Sequence, residues 1–192
     1  MHVDYPPGAT PLDADEIAGL LPEHITTQVE LNEWEQLNIL HGDRWARTRR
    51  REILNEAFLC RLHKEMFGET WKWAGGFRRS DKNIGVDWLR IGIELKNLLD
   101  DVRYQIDHGS YSADEIAIRF HHRLVAIHLF SNGNGRHARL VADLLIERLG
   151  KPRFSWGSQS LVDADDTRHS YIAALQAADA HNIAPLIVFS RS

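Results

Sequence analysis

His128-Leu-Phe-Ser-Asn-Gly-Asn-Gly-Arg-His-Ala-Arg139 decides how this chain is read. Gly133 and Gly135 permit backbone conformations that a Cβ disfavours, and Asn132 and Asn134 tolerate such a loop next best. From Arg136 the sequence continues Arg-His-Ala-Arg-Leu-Val-Ala-Asp-Leu-Leu-Ile, a good helix. A glycine-bent loop that feeds a helix start leaves several backbone N–H groups pointing outward, which makes an anion cradle. Arg136 and Arg139 lie three apart, so they share a helix face and add fixed positive charge beside the cradle. His128 stands just before the loop, placed to take a proton from a group attacking a bound phosphate.

Outward from this segment the periodicity is mostly helical. Helices are predicted over about 91–107, 113–127, 134–149 and 165–180, with a short one at 184–190. Upstream, one helix is expected from near Thr26 to near Gly42, with Leu31, Trp34, Leu37 and Leu40 at helical spacing. Another is expected from about Arg49 to Phe67, with Ile53, Leu54, Ala57, Phe58, Leu62 and Met66 facing inward and Gly68 closing it. Residues 71–90 alternate glycines, polar residues and short apolar pairs, which predicts a loop and a small β-hairpin. Residues 1–12 look like an extended arm, and Asp13 to Leu21 like a short helix stopped by Pro22. The expected architecture is all-α with a small hairpin.

Composition bounds the function classes. A chain of 192 residues suits one domain with a sizeable core. The net charge of −4 argues against a broad nucleic-acid or anionic-membrane footprint. One local exception is the basic run Arg44-Trp-Ala-Arg-Thr-Arg-Arg-Arg51, a solvated face or a patch. Cys60 is the sole cysteine, which excludes an intrachain disulfide and a cysteine zinc cluster. No signal-peptide pattern and no membrane-length apolar run is visible, so a reducing, ATP-containing cytoplasm is the expected compartment.

The segment His128–Arg139 resembles the motif of the Fic (filamentation induced by cAMP) domain family, H-P-F-x-(D/E)-G-N-G-R-x-x-R. His128, Phe130, Gly133, Asn134, Gly135, Arg136 and Arg139 match it. Seven such identities arise by chance at roughly 1 in 10⁹ positions. Leu129 replaces the usual proline and Asn132 the usual acidic residue. Trp73-Ala-Gly-Gly-Phe-Arg78 is similar to the family's W-A-G-x-(Y/F)-R segment. Within the family, the chain looks most like the subgroup called mobile mystery protein B.

The resemblance implies a fold, a reaction and a site. The fold is the helical Fic bundle with a β-hairpin flap at residues 80–88. The reaction is transfer of AMP from ATP to a Ser, Thr or Tyr hydroxyl of a target protein, with Mg²⁺ or Mn²⁺. His128 is the general base, Gly133, Asn134 and Gly135 cradle phosphates, and Arg136 and Arg139 hold the β- and γ-phosphates. Asn132 stands at the metal position, where a neutral carboxamide serves a hard cation less well than a carboxylate. Tyr171 and Asp179 loosely match residues near the adenine. Asn83, Ile84, Gly85 and Val86 would add a target strand by main-chain pairing, with Trp88 close enough to touch it. A small helix-turn-helix regulator is a further expected partner, since related mobile-element proteins travel with one.

Thr26-Thr-Gln-Val-Glu30 matches most of the family's inhibitory pattern (S/T)-x-x-x-E-(G/N), with Leu31 departing at the last position. The resemblance implies that Glu30 pairs with Arg139 and competes with phosphate for its guanidinium. The same residues also read as an N-cap and a first-turn carboxylate, and both roles can hold together. The implied organisation is an arm and short helix over 1–25, an inhibitory helix over 26–45 and a Fic core over 46–192. Two other functions stay open: a nucleotide-binding regulatory module with weak turnover, and transfer of a different phosphate-linked group. His121, His122, His128 and His137 lack the partner pattern of a zinc site.

Overall fold

The computed structural model describes residues 10–158 and 164–192. Most of the N-terminal arm expected over 1–12 lies outside the described residues. Eight α-helices form among the described residues: α1 (Ala14–Ile17), α2 (Gln28–Arg47), α3 (Glu56–Phe67), α4 (Ile91–His108), α5 (Ala113–Ile127), α6 (Asn134–Arg148), α7 (Ala164–Asp179) and α8 (Ala184–Arg191). The all-helical expectation holds; β pairing among the described residues is limited to one isolated bridge, Leu20 with Trp71. No helix among the described residues is long and apolar enough to cross a membrane.

Helices α5 and α6 pack along each other at the centre, with α4 and α8 on α5 and α3 on α6. The caps are local and readable: Ser112 accepts the N–H of Glu115 to start α5, and Gly109 in the left-handed region ends α4. Helix α6 is buried on most of its faces, from Asn134 and His137 through Leu140–Ile146. That burial fixes the helix that follows the motif loop, so the cradle at its start has a rigid base.

Three helix boundaries and one helix rotation differ from expectation; the first is α1, which ends at Ile17 and not at Leu21. Helix α3 begins at Glu56, not near Arg49, because the Asn55 side chain accepts the Phe58 N–H and caps it there. Helix α2 runs on through Gly42 to Arg47. Its buried stripe is Leu31, Glu35, Asn38, Gly42 and Ala46, whereas Leu37 is 64% and Leu40 51% exposed. The rotation follows close packing: a Cβ on Gly42 would lie 2.6 Å from the Met66 side chain. Small residues let α2 lie against α3 there, and the same turn carries Glu35 inward.

The expected hairpin does not form. Residues 79–87 are bends and irregular backbone, followed by a short 3₁₀ turn at Trp88–Arg90. The carbonyls that a hairpin would pair across are taken by one side chain. Arg78, 2% exposed, donates from Nη1 to Ser80 O at 2.8 Å and from Nη2 to Val86 O. Lys82 ties the same loop to α1 through Asp13 and Glu16.

Candidate active site

His128 closes α5 in the left-handed conformation, φ 59° and ψ 66°. That conformation is uncommon for a residue with a Cβ and persists only where the surroundings enforce it. Arg78 supplies the enforcement: its Nε donates to the His128 carbonyl at 2.6 Å, and its own N–H donates to Leu129 O at 2.9 Å. The imidazole is 4% exposed; neither ring nitrogen makes a hydrogen bond of ordinary geometry among the described residues, and the Val125 backbone carbonyl is the acceptor near enough to act on the ring. Burial, reinforced by the Arg78 charge, pushes its pKa down to about 4. The ring is therefore neutral near pH 7 and has a free lone pair. Gly85 of the flap loop lies against it, a Cβ there falling 2.8 Å from the His128 Cβ.

The motif loop is held from beneath. His63 is fully buried and stacks on Phe130 with ring centroids 3.7 Å apart. Its Nδ1 accepts from the Gly75 N–H at 3.0 Å, so its Nε2 carries the proton and donates to Asn132 O at 3.0 Å. The Asn134 side chain exchanges two hydrogen bonds with the Phe130 backbone, at 2.9 and 2.7 Å. Gly133, at φ 78°, caps α6 above Phe67, whose ring would stand 2.7 Å from a Cβ. The first-turn N–H groups of Asn134, Gly135 and Arg136 have no acceptor within α6. Asn134 thus serves the cradle through its backbone, since its side chain is spent on the loop.

The two arginines stand in different environments. Arg139 lies with its guanidinium 5.2 Å from the centroid of the Tyr171 ring and makes no ion pair among the described residues. Burial lowers its pKa and the more distant Asp143 charge works against that, so a guanidinium without a direct carboxylate partner among the described residues stands there. Arg136 is already engaged. Its Nη1 donates to Glu35 Oε2 at 2.5 Å, its Nη2 to Asn132 Oδ1 at 3.3 Å, and it lies over Phe67. Glu35, 5% exposed, also accepts the Trp71 indole N–H at 2.7 Å. Trp71 is stacked on Trp73 with centroids 5.2 Å apart.

The expected pair of Glu30 with Arg139 does not form. Glu30 is exposed and closes a capping box, accepting the backbone N–H groups of Thr26 and Thr27 at 2.9 and 3.0 Å. Thr27, not Thr26, is the N-cap. The carboxylate that meets a motif arginine from α2 is Glu35, one and a half turns further along. Periodicity alone missed it because a charged residue in an apolar helix reads as solvent-facing.

Tyr171 reaches the site and Asp179 does not. The Tyr171 hydroxyl is 3.6 Å from where a Cβ on Gly135 would be, and it meets His121 Nε2 at 3.0 Å. Asp179 pairs with His122 Nε2 at 2.8 Å and lines a separate cavity of about 400 Å³ between α4, α5 and the end of α7. None of the motif residues lines that cavity. The residues do not build a protein-held divalent-cation site. Asn132 Oδ1 accepts from the Gly133 N–H at 2.6 Å and from Arg136, and no cluster of three metal-ligating side chains occurs among the described residues.

The fold thus brings a buried histidine, a bent loop opening a rigid helix and two arginines together at the start of α6. Residues 53–146 match the Fic/DOC family, and the chain belongs to that family. It is similar to the protein adenylyltransferase fic-1 of Caenorhabditis briggsae, 33% identical over 133 residues covering 67% of this chain and 25% of the relative. It is also similar to the protein adenylyltransferase Fic of Nematostella vectensis, 36% identical over 135 residues, 68% of this chain and 30% of the relative. The chain spans about a quarter of the length of several curated relatives it matches, including the 26% covered in the Aedes aegypti protein. Among solved structures, BepC of Bartonella tribocorum with bound AMPPNP superposes with a TM-score of 0.69 at 18% identity, covering 93% of this chain and 97% of that one. Fic-1 of C. elegans superposes with a TM-score of 0.65 at 20% identity, covering 91% and 50%. These superpositions establish the shared fold.

Proposed function

We propose that this chain transfers AMP from ATP to a hydroxyl of a target protein. The observation that carries the proposal is His128: a neutral, buried imidazole that no side chain among the described residues hydrogen-bonds, at the lip of a loop that opens α6. The imidazole takes the proton of a Ser, Thr or Tyr hydroxyl. The oxygen attacks the α-phosphorus, the bond to the bridging oxygen breaks, and pyrophosphate leaves. The N–H groups of Asn134, Gly135 and Arg136 receive phosphate oxygens, and Arg139 supplies charge to the same tail. Tyr171 borders the nucleotide beside Gly135. The exposed backbone of residues 83–85 offers the target a main-chain docking edge next to His128. Because Asn132 Oδ1 is used internally, Mg²⁺ enters with the nucleotide phosphates.

The resting protein is held off by Glu35. Its carboxylate occupies the guanidinium of Arg136, which must be released before that arginine can receive a phosphate. The experiment is self-labelling with α-³²P-ATP and Mg²⁺ or Mn²⁺. Labelling that increases in Glu35→Gln, stays low in Glu30→Gln and vanishes in His128→Ala supports both parts. Equal labelling of wild type and Glu35→Gln removes the latch but leaves the transferase. ATP binding without labelling in any form supports the regulatory module instead, the reading that the engaged Asn132 favours. A label retained from γ-³²P-ATP rather than α-³²P-ATP points to transfer of another phosphate-linked group.

A further inference from the structure

The basic run of the sequence becomes a cup at the junction of α2, α3 and α6. It is an open depression of about 560 Å³. Arg47, Arg49, Arg50, Arg51 and Arg148 surround it, with Glu147 as the one acidic member. Ile53, Phe58 and Leu144 form an apolar floor. Five arginines face one carboxylate on a chain whose net charge is −4.

Part of this charge belongs to the fold. Arg47 and Arg148 lie in the last turns of α2 and α6, where cations complement the helix dipole. Arg47 is also paired with Asp43 and Glu147, and Arg148 donates to the Arg51 carbonyl. Arg49 and Arg50 have no such role. They lie past the end of α2, are exposed, and make no ion pair among the described residues. Arg51 Cζ lies over Trp45, 4.0 Å from its ring centroid, and its buried Nε has no hydrogen-bond partner among the described residues.

We infer that this cup docks an acidic peptide segment of a partner protein, one that carries an apolar side chain between its carboxylates. Charge complementarity selects an anion, and the guanidinium forks suit carboxylates. The cup is built on the C-terminal turns of two helices, whose carbonyl ends oppose a compact multiply charged phosphate. Carboxylates spaced along a chain meet the separated arginines while avoiding that concentration of charge. The floor then takes one apolar anchor, the arrangement of a polar rim around an apolar centre.

The test uses the full chain and a fluorescein-labelled peptide, Gly-Glu-Asp-Glu-Phe-Glu-Asp-Glu-Gly, followed by fluorescence anisotropy at low and moderate salt. Saturable binding is expected, weakened more than tenfold by Arg49→Glu with Arg50→Glu and several-fold when the peptide's phenylalanine is replaced by serine. Both arginines are exposed, and circular dichroism verifies that the double variant is folded. Absence of saturable binding overturns the inference. So does binding that ignores the charge reversal, or equal binding of the serine peptide or of a single-stranded oligonucleotide, which would show unspecific attraction to anions. The measurement needs neither His128 nor ATP, so it stands apart from the proposed transferase activity.

Discussion

Glu35→Gln changes one atom type and separates a latch from a strut. Gln keeps an amide oxygen that can still accept the Trp71 indole N–H, so the 2.7 Å bond has a replacement. The change removes the negative charge facing Arg136 Nη1. A charge-assisted hydrogen bond is worth about 1.5–3 kcal/mol and a neutral one about 0.5–1.5. The Arg136 side chain is 33% exposed, which places the difference at the low end, about 1 kcal/mol. The folded protein should lose that amount, lowering its Tm by about 2–4 °C for a domain of this size. The same contact must break for Arg136 to receive a phosphate. ATP affinity should therefore rise by about the factor that 1 kcal/mol represents, roughly fivefold. Differential scanning fluorimetry and isothermal titration calorimetry measure the two effects on one sample. A lower Tm with unchanged or weaker ATP binding would refute the latch and make Glu35 a structural strut.

Acid should destabilise the fold between about pH 6.5 and 4. His128 and His137 are buried with pKa pushed down to about 4 from an ordinary 6.5, so the unfolded chain binds their protons first as pH falls. At pH 5 this costs about 2 kcal/mol for each histidine. Asp143, pushed up to about 6 by burial, binds its proton first in the folded state and returns about 1 kcal/mol. Urea midpoints at pH 7.5 and 5 should therefore differ by at least about 3 kcal/mol in unfolding free energy, because buried His63 and His121, also held well below the usual histidine range, act in the same direction; equal stabilities would contradict the burial argument. Self-labelling should be flat from pH 6.5 to 8, because His128 is already neutral there; a rise centred near 6.5 would show an imidazole open to solvent. Gly133→Ala should cost about 2–4 kcal/mol, from the strained φ and the contact with Phe67, and a near-normal Tm would show the loop to be adaptable. His128→Ala should abolish labelling with ATP affinity within about twofold of wild type, and lost binding would mean that the side chain supports the loop instead.

The motif loop, its helix and its base were legible because their chemistry is local. Gly133 at positive φ, the α6 start one residue later and the lone histidine before the loop all depend on neighbours within a few positions. The cap signals at Ser112 and Gly109 are equally local and placed α4 and α5 closely. The hairpin was read from alternation and turn residues. That reading failed because Arg78, just ahead of the expected flap at 80–88, claims the Ser80 and Val86 carbonyls with its side chain. Tyr171 and Asp179 both came from the family resemblance; the fold brings Tyr171 beside Gly135, whereas Asp179 faces His122.

Sequence by itself determined that a glycine bend opens a helix just after His128 with two arginines on its first turns, because backbone geometry within about twelve residues specifies it. Tertiary structure alone decided which α2 carboxylate meets a motif arginine. Glu35 and Arg136 are 101 positions apart, and both Glu30 and Glu35 are plausible by type. The choice rests on the rotation of α2, set where Gly42 lets the helix lie against Met66 and turns Leu37 and Leu40 outward. A one-dimensional pattern records which residues a helix offers, whereas the face it buries depends on what it packs against.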